Sequence, residues 1–271
     1  NCRNNYAFNH INTKNALIIC GEISKNENLD SILEISEHIK APILADPTSN
    51  LRYFKHHDHI ISNYNLFLNG EDYKPDVIIR FGRKPTSKLL NNLINNHNSV
   101  ILVDEYPEFN DESDISINSN YNNFLKYIES LPKVNDNNCL YLLSSKQKSI
   151  TSYLNKLNSN EYNCEGILTK EILNQVKPNT NIFVGNSMAI RQMDDLTTNL
   201  DKRINIFSNR GASGIDGLVS TALGISYESS KNQQENIAIL GDLSFYHDMN
   251  GLIFALNHQI RMKFVILNNN G

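Results

Sequence analysis

Three residues near the end of the sequence carry the kinds of oxygen atom that bind magnesium. Asp242 offers a carboxylate, Asn269 an amide oxygen and Gly271 a backbone carbonyl. Hard oxygen ligands of this kind suit Mg2+, which leaves its remaining octahedral positions to phosphate and water. Asn269 follows Asp242 by 27 residues (269 − 242), about the length of chain that a β-α-β unit needs. The three oxygen ligands therefore predict a Mg2+ site, and a metal held beside a helix N-terminus would bind a diphosphate.

The chain between these residues has the pattern of a β-α-β unit. Its two apolar runs, 237–240 and 264–267, are short, bounded and rich in Ile, Val and Phe, as buried strands are. The strands should be parallel with a right-handed crossover, so that Asp242 and Asn269 follow carboxyl ends at one edge of one sheet. A helix after Ser244 should direct its free N–H groups to the same place. Its predicted apolar face comprises Met249, Leu252, Ile253, Leu256 and Ile260. An ordinary β-α-β unit with a polar loop after each strand is the alternative.

Strands and helices alternate along the rest of the chain, which predicts an α/β protein with a doubly wound parallel sheet. We expect a linker or tail at 1–12, a middle α/β domain at 13–171, a linker at 172–180, and at 181–271 the first half of a second α/β domain. The predicted strands are 16–20, 42–45, 77–80, 100–103, 140–143, 182–184 and 205–207, and the predicted helices include 29–39, 87–95, 124–131, 150–157 and 165–176.

Composition and local motifs argue against several classes of protein. The net charge is −4 with scattered Lys and Arg, so no nucleic-acid partner is expected, and no apolar run approaches the roughly 20 residues of a membrane span. The polar start and four cysteines without a close pair predict a cytoplasmic protein with reduced thiols. His56, His57 and His59 suggest zinc, but without a second group of ligands a solvated loop or helix start is favoured. Gly21 stands alone after its strand, which argues against a nucleotide-binding loop.

Gly241-Asp242 followed by Asn268-Asn269 resembles the thiamine-diphosphate motif, and the separation matches that family's usual one. Further segments narrow the resemblance. They are Gly-Asn-Ser at 185–187 with Arg191, Ser-Asn-Arg-Gly-Ala-Ser-Gly-Ile-Asp-Gly at 208–217, and Gly-Asp-Leu-Ser at 241–244. Together they resemble the 2-succinyl-5-enolpyruvyl-6-hydroxy-3-cyclohexene-1-carboxylate synthases, a thiamine-diphosphate branch that acts in the biosynthesis of menaquinone, or vitamin K2. The resemblance covers essentially the whole chain.

The resemblance implies a transferase, namely a carboligase that decarboxylates 2-oxoglutarate and adds the four-carbon unit to isochorismate. It also implies thiamine diphosphate with Mg2+ or Mn2+ as cofactors, and a homodimer or homotetramer. Both substrates bear carboxylates, which the Arg guanidinium binds in a bidentate fork. The residues implied by role are Asp242, Asn269 and Gly271 for the metal; Ile215, Gly241, Asp242, Leu243, Ser244 and Asn269 for the cofactor; and Lys88, Ser187, Arg191 and Arg210 for the substrates.

The resemblance assigns no catalytic residue to this chain. The family's activating glutamate lies in an N-terminal domain, so we expect the chain to be part of a longer protein and inactive alone. The alternatives are another thiamine-diphosphate enzyme, such as a 2-oxoacid decarboxylase or an acetolactate synthase relative, and a non-catalytic α/β module. Lys88, Arg191 and Arg210 favour the synthase, because a site for a small neutral aldehyde needs fewer cations. His247 and Asp248 are expected to support the site or cap a helix rather than act as acid and base.

Overall fold

The computed structural model describes residues 11–25, 27–68, 73–105, 113–157, 164–211, 214–230 and 233–269. In this part of the chain the strands form two sheets, and every strand pair is parallel. The α/β class predicted from the alternation of strands and helices is confirmed. No helix within these ranges combines the length and apolar character needed to cross a membrane.

The first sheet has six strands in the order β3-β2-β1-β4-β5-β6. The strands are β1 Ala16–Cys20, β2 Ile43–Ala45, β3 Ile60–Ile61, β4 Val77–Phe81, β5 Val100–Asp104 and β6 Ile115–Asn118. The helices that pack on it are α1 Leu29–Ile39, α2 Lys88–Asn95, α3 Tyr121–Glu129 and α4 Asn138–Leu154, and α5 Glu165–Gln175 follows them in the chain. Because side chains alternate along a strand, Ile18 packs with α1 and α3, whereas Leu17 packs with α2 and α4 on the other face.

The second sheet has four strands in the order β10-β9-β7-β8. The strands are β7 Asn181–Val184, β8 Asn205–Phe207, β9 Asn236–Gly241 and β10 Lys263–Leu267, and the helices are α6 Met188–Leu196, α7 Leu218–Ser229, α8 Asp242–His247 and α9 Leu252–His258. Apolar side chains of α5 and α6 cover one face, and those of α7, α8 and α9 cover the other. The sheet is therefore doubly wound, like the first.

One predicted strand is wrong, and two short strands were missed. Residues 140–143 are not a strand but lie inside α4, whose first turn is capped by the Asn137 side chain and whose Leu143 and Leu154 are buried. The apolar run there goes around the helix, with Leu143 buried but Tyr141 and Leu142 exposed, and four residues are too few for periodicity to distinguish a helix from a strand. The short strands β3 and β6 were not predicted. The domain boundary at 172–180 stays a prediction, and α5 begins before it and ends at Gln175.

The single helix predicted after Ser244 is also wrong. The chain forms α8 from Asp242, a short 3-10 turn over Met249–Gly251, and then α9. The predicted apolar face is therefore not continuous: Leu252 packs on the core, but Leu256 is 80% exposed. Phe245, Ala255 and Ile260 pack on the same core as Leu252.

A buried ion pair joins the two sheets. Arg52 follows β2 and is fully buried, and its guanidinium pairs with the carboxylate of Asp194 on α6. Arg52 also donates to the carbonyls of Ala45 (2.5 Å) and Asp194 (2.8 Å), and the Tyr64 hydroxyl donates to the same carboxylate (2.8 Å). Burial raises the pKa of Asp194, and the positive charge of Arg52 opposes that shift. These contacts hold α6, the helix that follows β7, against the first sheet.

Candidate functional site

The carboxyl ends of the four strands of the second sheet lie at one edge. In the strand register Leu267 lies beside Gly241, Val184 beside Ile239, and Phe183 beside Phe207. The residues that follow these strands therefore start from neighbouring positions. Ligands of open parallel sheets bind at such an edge. The placement predicted for the polar residues at the ends of β9 and β10 is confirmed.

Asp242 and Asn269 follow two adjacent, hydrogen-bonded strands. Asp242 is the first residue of α8 and is half-buried, whereas Asn268 and Asn269 are exposed directly after β10. Gly271, the third predicted ligand, lies outside the described residues. Carboxylate and amide oxygens are the donor types that Mg2+ prefers, and a Cβ on Gly241 would meet only the Ser244 hydroxyl, at 3.8 Å. The donor chemistry and the open space beside Gly241 fit a metal-bound diphosphate.

The glycine-rich segment after β8 is tied to the turn after β7. The Asn186 amide donates to the carbonyl of Gly214 (2.8 Å) and accepts from a guanidinium nitrogen of Arg210 (3.2 Å). Gly217 has a positive φ of 67°, which glycine adopts without steric cost, and α7 starts there. The side chain of Ile215 is 37% exposed. The segment thus presents a cationic and an apolar residue at the same edge of the sheet.

Ser187 has a strained backbone. Its φ of 66° and ψ of −128° lie where non-glycine residues are rare, and such strain costs about 1–3 kcal/mol. Ser187 is exposed at the start of α6, and among the described residues its hydroxyl makes no capping hydrogen bond. Arg191 is also exposed, four residues further along the helix and hence on the same side of it. The turn and the first part of α6 therefore offer a hydroxyl and a guanidinium to a ligand.

Lys88 belongs to the first sheet's part of the chain. It is the exposed first residue of α2, and it borders a cavity of about 460 Å3 together with Leu68, Tyr73 and other α2 side chains. Among the described residues, all those lining the cavity belong to the first sheet's part of the chain. The structure thus places Lys88 at the rim of this cavity. Its substrate contact stays a prediction.

His247, the last residue of α8, and Asp248, the next residue, both contact the segment that leads into α7. Asp248 accepts hydrogen bonds from the backbone N–H (2.7 Å) and hydroxyl (3.1 Å) of Ser220, in the first turn of α7. This agrees with the helix-cap interpretation. His247 lies 3.7 Å from the exposed carboxylate of Asp216 in the glycine-rich segment. Both contacts join α8 to the start of α7.

The histidine cluster does not form a metal site. Within the described ranges, no group of three or more His, Cys, Asp or Glu side chains is arranged to hold a metal ion. His57 pairs with Glu37 (3.0 Å), and His59 lies 2.7 Å from the Ser36 hydroxyl. That hydroxyl donates its proton to the Ala41 carbonyl (2.6 Å), so it accepts a hydrogen bond from His59. The zinc interpretation is not supported.

Two features of the site were not predicted. One is the role of Asn186, although its position between Gly185 and Ser187 after a strand was a usable signal. The other is the Arg52–Asp194 pair, which holds the end of α6 opposite Ser187. The three described cysteines, Cys20, Cys139 and Cys164, are free.

Known proteins match this chain along most of its length. Residues 192–271 match the thiamine pyrophosphate enzyme family, C-terminal TPP binding domain. A protein from Desulfitobacterium hafniense is 35% identical over 275 residues, which covers 95% of this chain and 47% of that protein. One from Staphylococcus aureus is 37% identical over 274 residues, covering 98% and 47%. One from Bacillus cytotoxicus is 35% identical over 266 residues, covering 94% and 45%.

Over residues 192–271 the chain is similar to the TPP binding domain of thiamine pyrophosphate enzymes, and the parallel second sheet agrees with that match. All three relatives are named 2-succinyl-5-enolpyruvyl-6-hydroxy-3-cyclohexene-1-carboxylate synthase. The chain is related to these synthases over nearly its whole length, and the predicted resemblance is confirmed. The chain spans about half the length of the curated relatives it matches.

Proposed function

We propose that this chain is the middle domain and part of the diphosphate-binding domain of a thiamine-diphosphate-dependent synthase. The synthase joins the four-carbon unit of decarboxylated 2-oxoglutarate to isochorismate, in menaquinone biosynthesis, and releases CO2. The observation that carries the proposal is the placement of Asp242 and Asn269 directly after two adjacent parallel strands in matched register. We further propose that the protein is a cytoplasmic homodimer or homotetramer, and the free cysteines fit the reducing cytoplasm.

The metal and the diphosphate are assigned to the edge formed by β9 and β10. Asp242 and Asn269 hold Mg2+ or Mn2+ through their oxygens, with the carbonyl of Gly271 as third protein ligand. Gly241, Leu243 and Ser244 line the diphosphate beside the metal, and Ile215 supports the organic part of the cofactor. When bound, thiamine diphosphate supplies the decarboxylation and the carbon–carbon bond formation. The residues of the protein therefore have to bind and orient the cofactor and the substrates and to neutralise their negative charges.

Substrate carboxylates are assigned to the cationic residues. Arg191 and Arg210 bind them through paired N–H donors, and the exposed Ser187 hydroxyl adds a further hydrogen bond. Lys88 contributes a positive charge from the first sheet's part of the chain. Replacing Arg191 or Arg210 with Ala should raise KM or lower turnover by about one to three decades, since each loses a charge-assisted contact. Unchanged kinetics with both substrates in both variants would show that these roles are wrong.

Calorimetry tests the cofactor assignment. Thiamine diphosphate is titrated with Mg2+ into the wild-type full-length protein and into Asp242→Ala and Asn269→Ala variants. We expect both substitutions to abolish Mg2+-dependent binding. Asp216→Ala is the matched control, because it removes an exposed carboxylate at the same sheet edge without touching a strand end. Retained affinity in Asp242→Ala would contradict the ligand assignment.

The activity itself is tested with the full-length protein, 2-oxoglutarate and isochorismate. Formation of 2-succinyl-5-enolpyruvyl-6-hydroxy-3-cyclohexene-1-carboxylate with release of CO2 supports the proposal. Turnover of pyruvate alone would indicate an acetolactate-synthase-like enzyme instead. The 271-residue chain should bind the cofactor weakly and show no turnover, so that decarboxylation of 2-oxoglutarate by this chain would contradict the proposed domain layout.

A further inference from the structure

We propose that Asn186 is a positioning residue that holds Arg210 and the glycine-rich segment against the turn between β7 and α6. The inference rests on the proposed role of Arg210 as a carboxylate-binding residue. Asn186 itself is only 4% exposed. It therefore acts through Arg210 and the segment rather than by touching a substrate.

The orientation of the Asn186 amide is fixed by its contacts with Gly214 and Arg210. Its nitrogen donates to the Gly214 carbonyl at 2.8 Å, and its oxygen accepts from Arg210 at 3.2 Å. A carbonyl only accepts hydrogen bonds and a guanidinium only donates them. If the amide were reversed, its oxygen would face the Gly214 carbonyl and its NH2 group would face the Arg210 guanidinium, and neither hydrogen bond could form. Asn186 is thus matched to both partners in a single orientation.

The backbone that carries Asn186 is itself held in place. The N–H of Gly185 donates to the carbonyl of Ile239 on β9 at 2.8 Å. A Cβ on Gly185 would come within 3.0 Å of Leu240, so the turn packs closely on that strand. On the other side, Ser187 has the strained φ of 66°, which persists only where the surroundings hold it. Because its backbone is fixed by these contacts, Asn186 holds Arg210 in a fixed position relative to the sheet.

Pre-organisation of Arg210 has a measurable consequence. A long side chain that is already oriented loses less freedom when it binds a carboxylate. In the full-length enzyme, Asn186→Ala should raise KM for the substrate that Arg210 binds by roughly 10-fold, with a smaller change in kcat. Asn186→Asp should raise the same KM further, because its carboxylate would neutralise the guanidinium that the substrate needs.

A double-mutant cycle separates positioning from general damage. If Asn186 acts through Arg210, Asn186→Ala should have little further effect on KM in an Arg210→Ala background. Asn181→Ala is the matched control: Asn181 is 2% exposed on β7 and hydrogen-bonded to Asn236 (2.9 Å) at the other end of the strand. The Asn181→Ala variant should have a lower thermal stability and an unchanged KM.

A second readout does not depend on the reaction. Phenylglyoxal modifies accessible Arg side chains, and peptide mass spectrometry reports the rate for each of them in the full-length protein. Asn186→Ala should increase the rate at Arg210 at least about 3-fold, because the guanidinium loses a hydrogen bond. The rate at Arg191 is the internal reference and should not change.

The outcomes distinguish this inference from the proposed function. An inactive wild-type protein whose Arg210 labelling still responds to Asn186→Ala would refute the synthase assignment and support the positioning role. Unchanged labelling together with additive effects in the double-mutant cycle would overturn the positioning role. If Asn186→Ala does not fold, the isosteric Asn186→Asp variant tests the same contact through its added charge, and a KM equal to that of wild type would overturn the inference.

Discussion

Loss of the Asp194 carboxylate should strongly destabilise the protein. Asp194 and Arg52 are both buried, and the pair joins α6 to the first sheet. In an Asp194→Ala variant the Arg52 guanidinium would stay buried without its counter-ion, and it does not lose its proton at accessible pH. The Tyr64 hydroxyl and the Asn65 amide, which also donate to this carboxylate, would lose an acceptor.

The magnitude follows from the burial. Removing one partner of a buried ion pair costs about 3–5 kcal/mol, because the remaining charge is left uncompensated. For a protein of roughly this size, each kcal/mol corresponds to about 2–4 °C in Tm. We therefore expect Asp194→Ala to lower Tm by about 6–20 °C. Asp194→Asn keeps a hydrogen-bond acceptor for Tyr64 but loses the negative charge, so its decrease in Tm should be smaller than that of Asp194→Ala.

Urea unfolding and differential scanning calorimetry measure this loss. Asp195→Ala is the matched control, since Asp195 is the next residue on α6, is only half-buried and accepts one side-chain hydrogen bond, from Asn65 (2.9 Å). The control should lose less than about 1 kcal/mol. If Asp194→Ala lost no more than Asp195→Ala, the buried pair would not be what holds α6 to the first sheet.

Further predictions concern pH and two glycines. Burial, reinforced by His57, lowers the pKa of His59 from 6.5 to about 4, so the unfolded chain takes up a proton that the folded protein does not. Stability should therefore fall as pH drops from about 6.5 to 4, by at most about 2 kcal/mol given its partial exposure, and urea unfolding of His59→Gln should not show this loss. Gly21→Ala should destabilise by about 3 kcal/mol, because a Cβ there would lie 1.6 Å from the Arg83 carbonyl. A Cβ on Gly224, on α7, would lie in open space, so Gly224→Ala should raise stability by up to about 1 kcal/mol. Calorimetry should therefore show a lower Tm for Gly21→Ala and a higher Tm for Gly224→Ala, and a change of the same sign in both variants would contradict this reasoning.

The sequence by itself determined the class of fold and the edge that carries the site. Short apolar runs alternating with helical patterns leave few arrangements besides parallel sheets covered by helices. In such sheets the residues after the strands must gather at one edge, so Asp242 and Asn269 could be placed together from their positions alone. The glycine-rich segment and its Arg210 follow β8 for the same reason.

The local sequence pattern was insufficient where a short apolar run is compatible with both a strand and a helix. The run 140–143 is apolar over four residues, which is compatible with a short strand or with one turn of a helix. The helix was decided by the longer context, in which Asn137 caps a 17-residue element that buries Leu143 and Leu154. The break after α8 likewise depended on how the segment packs, since its apolar spacing was compatible with one continuous helix.

Only the tertiary structure decided which side chains hold the site in place. Asn186 meets Arg210 and Gly214 from 24 and 28 residues away, and Arg52 meets Asp194 across 142 residues. Periodicity and propensity describe neighbours within a few positions along the chain, so they carry no information about such pairs. The Asn186 contacts join two turns at one edge of the second sheet, and the Arg52–Asp194 contact joins the two sheets. In both places a buried polar group requires a partner, which the packing of distant parts of the chain supplies.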